Sequence, residues 1–125
     1  MAELNIKQLK ITNNNIKIDP ELQNGPQRLN VSLKTKLNPP KDPDIKTLLL
    51  YLGIFANSEE NNTISIEIEA QCTIEYDETP ASFTGEFSEK CVDIAFKGVS
   101  DILDKTLVEM GYSALEVYGK THKTE

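Results

Sequence analysis

One arginine (Arg28), one histidine (His122) and two cysteines stand in a chain of 125 residues. Each scarcity closes off a chemistry. Affinity for nucleic acid comes from clustered Lys and Arg, and guanidinium is the usual tool for bidentate phosphate or base contacts. With 13 Lys and Arg against 20 Asp and Glu, a formal charge of −7, no nucleic-acid partner is expected. His122 lies in the polar C-terminal stretch and reads as a solvated tail residue, not a metal ligand. That leaves no imidazole in the folded region to serve as base for a Ser or Cys nucleophile. Cys72 and Cys91 lack Cys-x-x-Cys spacing and read as free buried thiols of a reducing cytoplasm. No Gly-x-Gly phosphate loop is present. No catalytic residue, metal or cofactor is expected, and the chain does not read as an enzyme. No run of about 18 apolar residues exists, so membrane insertion is not expected. The start, Met1 to Ile6, lacks the basic-then-apolar pattern of a signal peptide, and a cytoplasmic location is expected.

What the chain does have is a stretch of strict alternation. From Thr63 to Tyr76 every even position is apolar or aromatic (Ile64, Ile66, Ile68, Ala70, Cys72, Ile74, Tyr76), and every odd position is polar or acidic. Side chains on a strand alternate faces with period two, so this is a half-buried strand. A helix of the same sequence would scatter its isoleucines around the cylinder. Glu67, Glu69 and Glu75 read as its solvated side, not as a catalytic carboxylate pair. A straight strand of this length spans roughly 45 Å, which predicts a bend or bulge near Gln71 or an end overhanging the sheet.

Three further strands precede it. In Leu4 to Ile18, Leu4 and Ile6 share one phase, Leu9 and Ile11 take the other, and Ile16 and Ile18 return to the first. Each phase change needs an extra residue or a kink, which predicts a bulge near Gln8 and irregular chain at Asn13-Asn14-Asn15. Asp19-Pro20 ends the segment and Glu21 to Gln27 forms a crossover loop. Leu29, Val31, Leu33 and Leu37 alternate with polar residues as a second strand, followed by a stiff loop at Asn38 to Pro43. Thr47 to Ala56 is the third strand, with a short helix as the competing reading. Asn57 to Asn62 is a polar hairpin loop.

After a loop at Asp77 to Gly85 the period changes. Val92, Ala95, Phe96, Val99, Ile102, Leu103, Leu107 and Met110 recur at spacings of three and four, as on one face of a helix. Glu86 and Glu89 suit the positive end of its dipole, and Gly111 suits a left-handed C-cap. The composite is an α+β fold in β-β-β-β-α order, a four-stranded antiparallel sheet with a long C-terminal helix packed on one face. We place one domain over residues 1–118 and a flexible tail over 119–125.

One helix covers one face of such a sheet, yet the third strand is apolar on both. Leu48, Leu50, Leu52 and Ile54 lie on one side, and Leu49, Tyr51 and Phe55 on the other. Leaving such a side chain wet forgoes roughly 1.5–3 kcal/mol relative to burial. The helix has a second apolar edge through Phe87, Cys91, Ile94 and Gly98. Either long loops and the C-terminal segment cover these surfaces, or they pack on another copy of the chain or form a groove for an apolar client. The interface expected for a homodimer or homotetramer comprises Leu49, Tyr51, Phe55, Phe87 and Ile94.

Four antiparallel strands followed by a long helix ending in Gly111-Tyr112 resemble the SecB family of export chaperones. The resemblance rests on Leu4-x-Ile6-x-x-Leu9-x-Ile11, Ile16-x-Ile18-Asp19-Pro20, the crossover loop, the Leu29–Leu37 strand, the Thr47–Tyr76 hairpin and the helix end near Ile102 to Tyr112. It implies a SecB-like sandwich assembled as a dimer of dimers, which holds unfolded or pre-secretory polypeptides without ATP in apolar grooves. Carried over by position, the groove residues are Leu22, Leu29, Leu33, Leu115, Val117 and Tyr118. An acidic surface for docking a translocation motor maps to Asp19 and Glu67. The chain departs from the family after Gly111-Tyr112, where Ser113 to Val117 replaces a proline-rich segment and the tail is not strongly acidic. An interaction module for one specific folded partner is the alternative reading, and an enzyme or small-ligand carrier the third.

Overall fold

The alternating stretch forms the centre of the sheet. A computed structural model describes residues 3–18, 29–42, 44–58 and 64–112. Its elements are β1 (Leu4–Ile18), β2 (Leu29–Asn38), β3 (Thr47–Ser58), β4 (Ile64–Tyr76) and α1 (Glu86–Glu109). The strands pair antiparallel in the order β1-β4-β3-β2, so β4 and β3 are central and β1 and β2 are the edges. The even positions of β4 from Ile64 to Tyr76 are all buried, at 2 % exposure or less. Those of β3 from Leu48 to Ala56 are buried too, at 3 % or less, which settles the third segment as strand.

β1 reconciles its changing phase by bulging. Its register against β4 shifts between Ile6 and Gln8 and again between Ile11 and Asn13, so Lys7 and Thr12 are the extra residues. Each shift turns the following residues over. Leu4, Ile6, Leu9, Ile11, Ile16 and Ile18 therefore all pair with even residues of β4, on the core face. The bulge expected near Gln8 is present. Two expectations are corrected. Asn13, Asn14 and Asn15 stay in the ladder instead of forming irregular chain, and β4 runs through Gln71 in continuous register with β3. The long strand absorbs its irregularity in its neighbour.

α1 packs chiefly on β3, β1 and β4. Phe87, Cys91, Ala95, Val99, Leu103 and Leu107 step by four and are all buried. The buried stripe is thus centred one edge over from the sequence expectation. Phe87 and Cys91 belong to the core, whereas Met110, expected on the apolar face, is 50 % exposed at the C-cap of the helix. Phe87 meets Tyr76 and Phe83 edge-on, each at 5.5 Å between centroids, and this trio pins the loop leading into the helix. The helix ends as expected. Gly111 adopts φ 97°, with its N–H donated to Val108 O and that of Tyr112 to Leu107 O. Those two bonds and the left-handed residue make a Schellman cap.

Candidate functional site

β2 projects beyond the helix. By register Leu29, Val31, Leu33 and Leu37 pair with Ser58, Ala56, Ile54 and Leu50, so they lie on the core face. Their partners on β3 are buried, but Leu29, Val31 and Leu37 are only half-buried and Leu33 is 37 % exposed. An edge strand whose core-side residues remain accessible is what a helix too narrow for four strands leaves behind.

An open groove of about 830 Å³ borders this region and the first half of α1. Leu33, Leu4, Val92, Ile94 and Phe96 supply its apolar lining, and Glu86, Glu89, Lys90 and Asp93 its charged rim. Glu86 and Lys90 form an ion pair at 3.4 Å along that rim. An apolar floor with a charged margin binds non-polar side chains by burial and keeps the empty site wettable.

The residues singled out from sequence divide among three places. Leu29 and Leu33 lie on β2 where expected, and Leu33 lines the groove. Leu22, Leu115, Val117, Tyr118 and Asp19 lie outside the described residues. Glu67 lies on the face of the sheet opposite α1, where Asn13 Nδ2 donates to its carboxylate at 2.8 Å. Leu49, Tyr51 and Phe55 share that face, with Tyr51 40 % exposed. Ile94 lines the groove, and Phe87 is inside the core. The five residues expected to form one interface are therefore not one surface. Phe87 leaves it because its ring completes the aromatic trio, and Ile94 because the helix stands on the other side of the sheet. Val92 and Phe96 were legible only as part of an apolar helical stripe, and nothing in their spacing distinguishes a groove wall from a core position.

The two thiols have no part in the groove. Cys72 and Cys91 are free and fully buried, and burial pushes each up to about 11. Burial also raises the Tyr76 hydroxyl, with a smaller contribution from Cys91. Among the described residues no group of three His, Cys, Asp or Glu side chains gathers, and no helix is long and apolar enough to cross a membrane.

The arrangement has a counterpart among solved structures. A Mycobacterium tuberculosis SecB-like chaperone, in complex with a ChAD peptide from the HigA1 antitoxin, superposes with a TM-score of 0.61 over 90 % of this chain and 83 % of that one. The fold is SecB-like. Sequence identity is 7 %, so the relation is one of architecture. No family model and no curated protein matches the chain. The four-stranded antiparallel sheet with one long helix after it is the α+β architecture expected.

Proposed function

We propose that this chain is an ATP-independent, SecB-like holdase of the cytoplasm, binding unfolded polypeptide in the groove beside β2. The observation that carries the reading is Leu33, a core-face residue of an edge strand left 37 % exposed at the rim of an apolar groove. Burial of client side chains there supplies affinity, while the charge of −7 keeps the loaded complex soluble. In a light-scattering assay the chain should suppress aggregation of a denatured test protein at stoichiometric ratio without ATP. Leu33→Asp should abolish that protection and leave the circular dichroism spectrum unchanged. A folded wild-type chain that leaves aggregation unaffected would overturn the proposal.

A second reading is an adaptor for one specific segment, supported by the defined antitoxin peptide held by the mycobacterial neighbour. It predicts a single partner recovered in fixed ratio by affinity capture, in place of many extended clients.

A further inference from the structure

The register brings a basic row to the middle of the sheet face opposite α1. Lys10 on β1 pairs with Gln71 on β4, which pairs with Tyr51 on β3, which pairs with Lys36 on β2. Both lysines and Tyr51 are exposed. The row on one side, Gln8, Thr73, Leu49 and Asn38, carries no charge, and the row on the other holds Asn13, Glu69, Gly53 and Lys34. Three lysines thus stand against one glutamate, in a chain whose formal charge is −7. Among the described residues none of these lysines forms an ion pair. The Lys34 ammonium lies 5.5 Å from the centroid of the Phe55 ring.

Beside Tyr51 the face is dented. Gly53 presents no side chain, and a hollow of about 270 Å³ opens there, bordered by Tyr51, Lys34, Lys36, Thr12 and Glu69. Thr12 is the extra residue of the second bulge in β1, and its hydroxyl donates to Glu69 O at 3.2 Å. The hollow therefore has an aromatic wall, two lysines on one flank and a single carboxylate on the other.

We propose that this row docks an extended acidic segment of a partner protein, of the pattern acid-x-apolar-x-acid, laid across the strands. Adjacent strands are about 4.8 Å apart, so Lys10 and Lys36 leave the sheet about 14 Å from each other, and four residues of extended chain span about the same length. Side chains two apart share a face. Two carboxylates then meet the two lysines, while the apolar residue between them rests on Tyr51 and leans into the hollow. A helix does not fit, because its positions i and i+4 are separated by only about 6 Å along the axis. Charge fixes the course. A segment laid along β3 would have Lys34 and Lys36 on one flank but Glu67 and Glu69 on the other. Across the row only lysines and neutral side chains lie beneath it, and Glu69, one row away, is the nearest opposing charge. The sign is the reverse of the acidic docking surface that the resemblance maps to Glu67, whose carboxylate Asn13 engages. The groove beside α1 lies on the other face and takes no part.

An NMR titration of the full chain tests the row, with the capped synthetic peptide Gly-Glu-Ser-Phe-Ser-Glu-Gly as probe. Amide signals of Lys10, Gln71, Tyr51 and Lys36 should shift, and those around Leu33 should not. A peptide with lysine in place of both glutamates should bind roughly tenfold more weakly or worse. One of the same composition with its glutamates adjacent should also bind more weakly, because it cannot span the row. K10E/K36E should weaken the glutamate peptide roughly tenfold or more and favour the lysine peptide instead, since both contacts reverse sign. E69Q should tighten the glutamate peptide by about twofold. Leu33→Asp, which disables the groove, should leave its binding unchanged, so this proposal and the holdase reading fail separately. Shifts confined to the groove, equal binding of the three peptides, or K10E/K36E that binds like wild type would overturn the proposal, as would no binding at all.

Discussion

Gly98 of α1 rests on Leu9 of β1 so closely that a Cβ there would stand 3.2 Å from the leucine Cδ1, and equally close to that of Ile6. The missing side chain sets the height of the helix over an edge strand. The bulge at Lys7 is what brings Leu9 to the face where this contact exists.

Substitutions at Gly98 should therefore separate two effects. Ala adds about 1 kcal/mol of helix propensity and presses only on two methyl ends that can shift, so Gly98→Ala should stay within about 1 kcal/mol of wild type. Gly98→Leu overfills the contact and should cost about 1–3 kcal/mol. Urea denaturation of the three chains measures both.

Ser100 is buried in the same helix with no hydrogen-bond partner for its Oγ. Its hydroxyl loses water on folding and gains nothing in return. Ser100→Ala should raise stability by about 0.5–1 kcal/mol, with better helix propensity contributing part of the gain. A loss of stability in thermal unfolding would refute that account.

The thiols give the fold an alkaline weakness. Unfolded cysteines ionise near 9.0, whereas folded Cys72 and Cys91 hold their protons to about 11. Below pH 9 both states are protonated and stability is unaffected. Between about 9 and 11 the unfolded state releases protons that the folded state keeps, so stability falls by roughly 2 kcal/mol per thiol. Unfolding free energies at pH 8 and pH 10.5 should differ less in Cys72→Ala/Cys91→Ala than in wild type. Thiol labelling at pH 8 should likewise be slow until denaturant is added.

At the helix end, Gly111 holds φ 97°, a conformation that costs an L-residue about 1 kcal/mol. Gly111→Ala should lower stability by about that amount, and Gly111→Asn by less. Thermal unfolding midpoints give the order.

Much of this architecture is local and was legible as such. The period of two in β4, the two phase changes in β1, the switch to spacings of three and four after Gly85, and the glycine stop all follow from how side chains leave a strand or helix. Asn13 to Asn15 misled because asparagine runs favour turns, yet here Asn13 is held by the Glu67 carboxylate across the ladder. Phe83 carries no signal in its loop, since an aromatic cluster joining a strand end, a loop and a first helical turn has no sequence period.

The sequence by itself determined which residues alternate, which recur with helical spacing and where each element stops, because those are properties of neighbours along the chain. Only the tertiary structure decided that α1 leaves β2 uncovered, that Phe87 turns inward while Tyr51 stays wet, and that Lys34 and Glu69 lie in one row of the sheet. Those outcomes depend on the width of a helix against four strands and on register between distant segments, and no stretch of the chain encodes either alone.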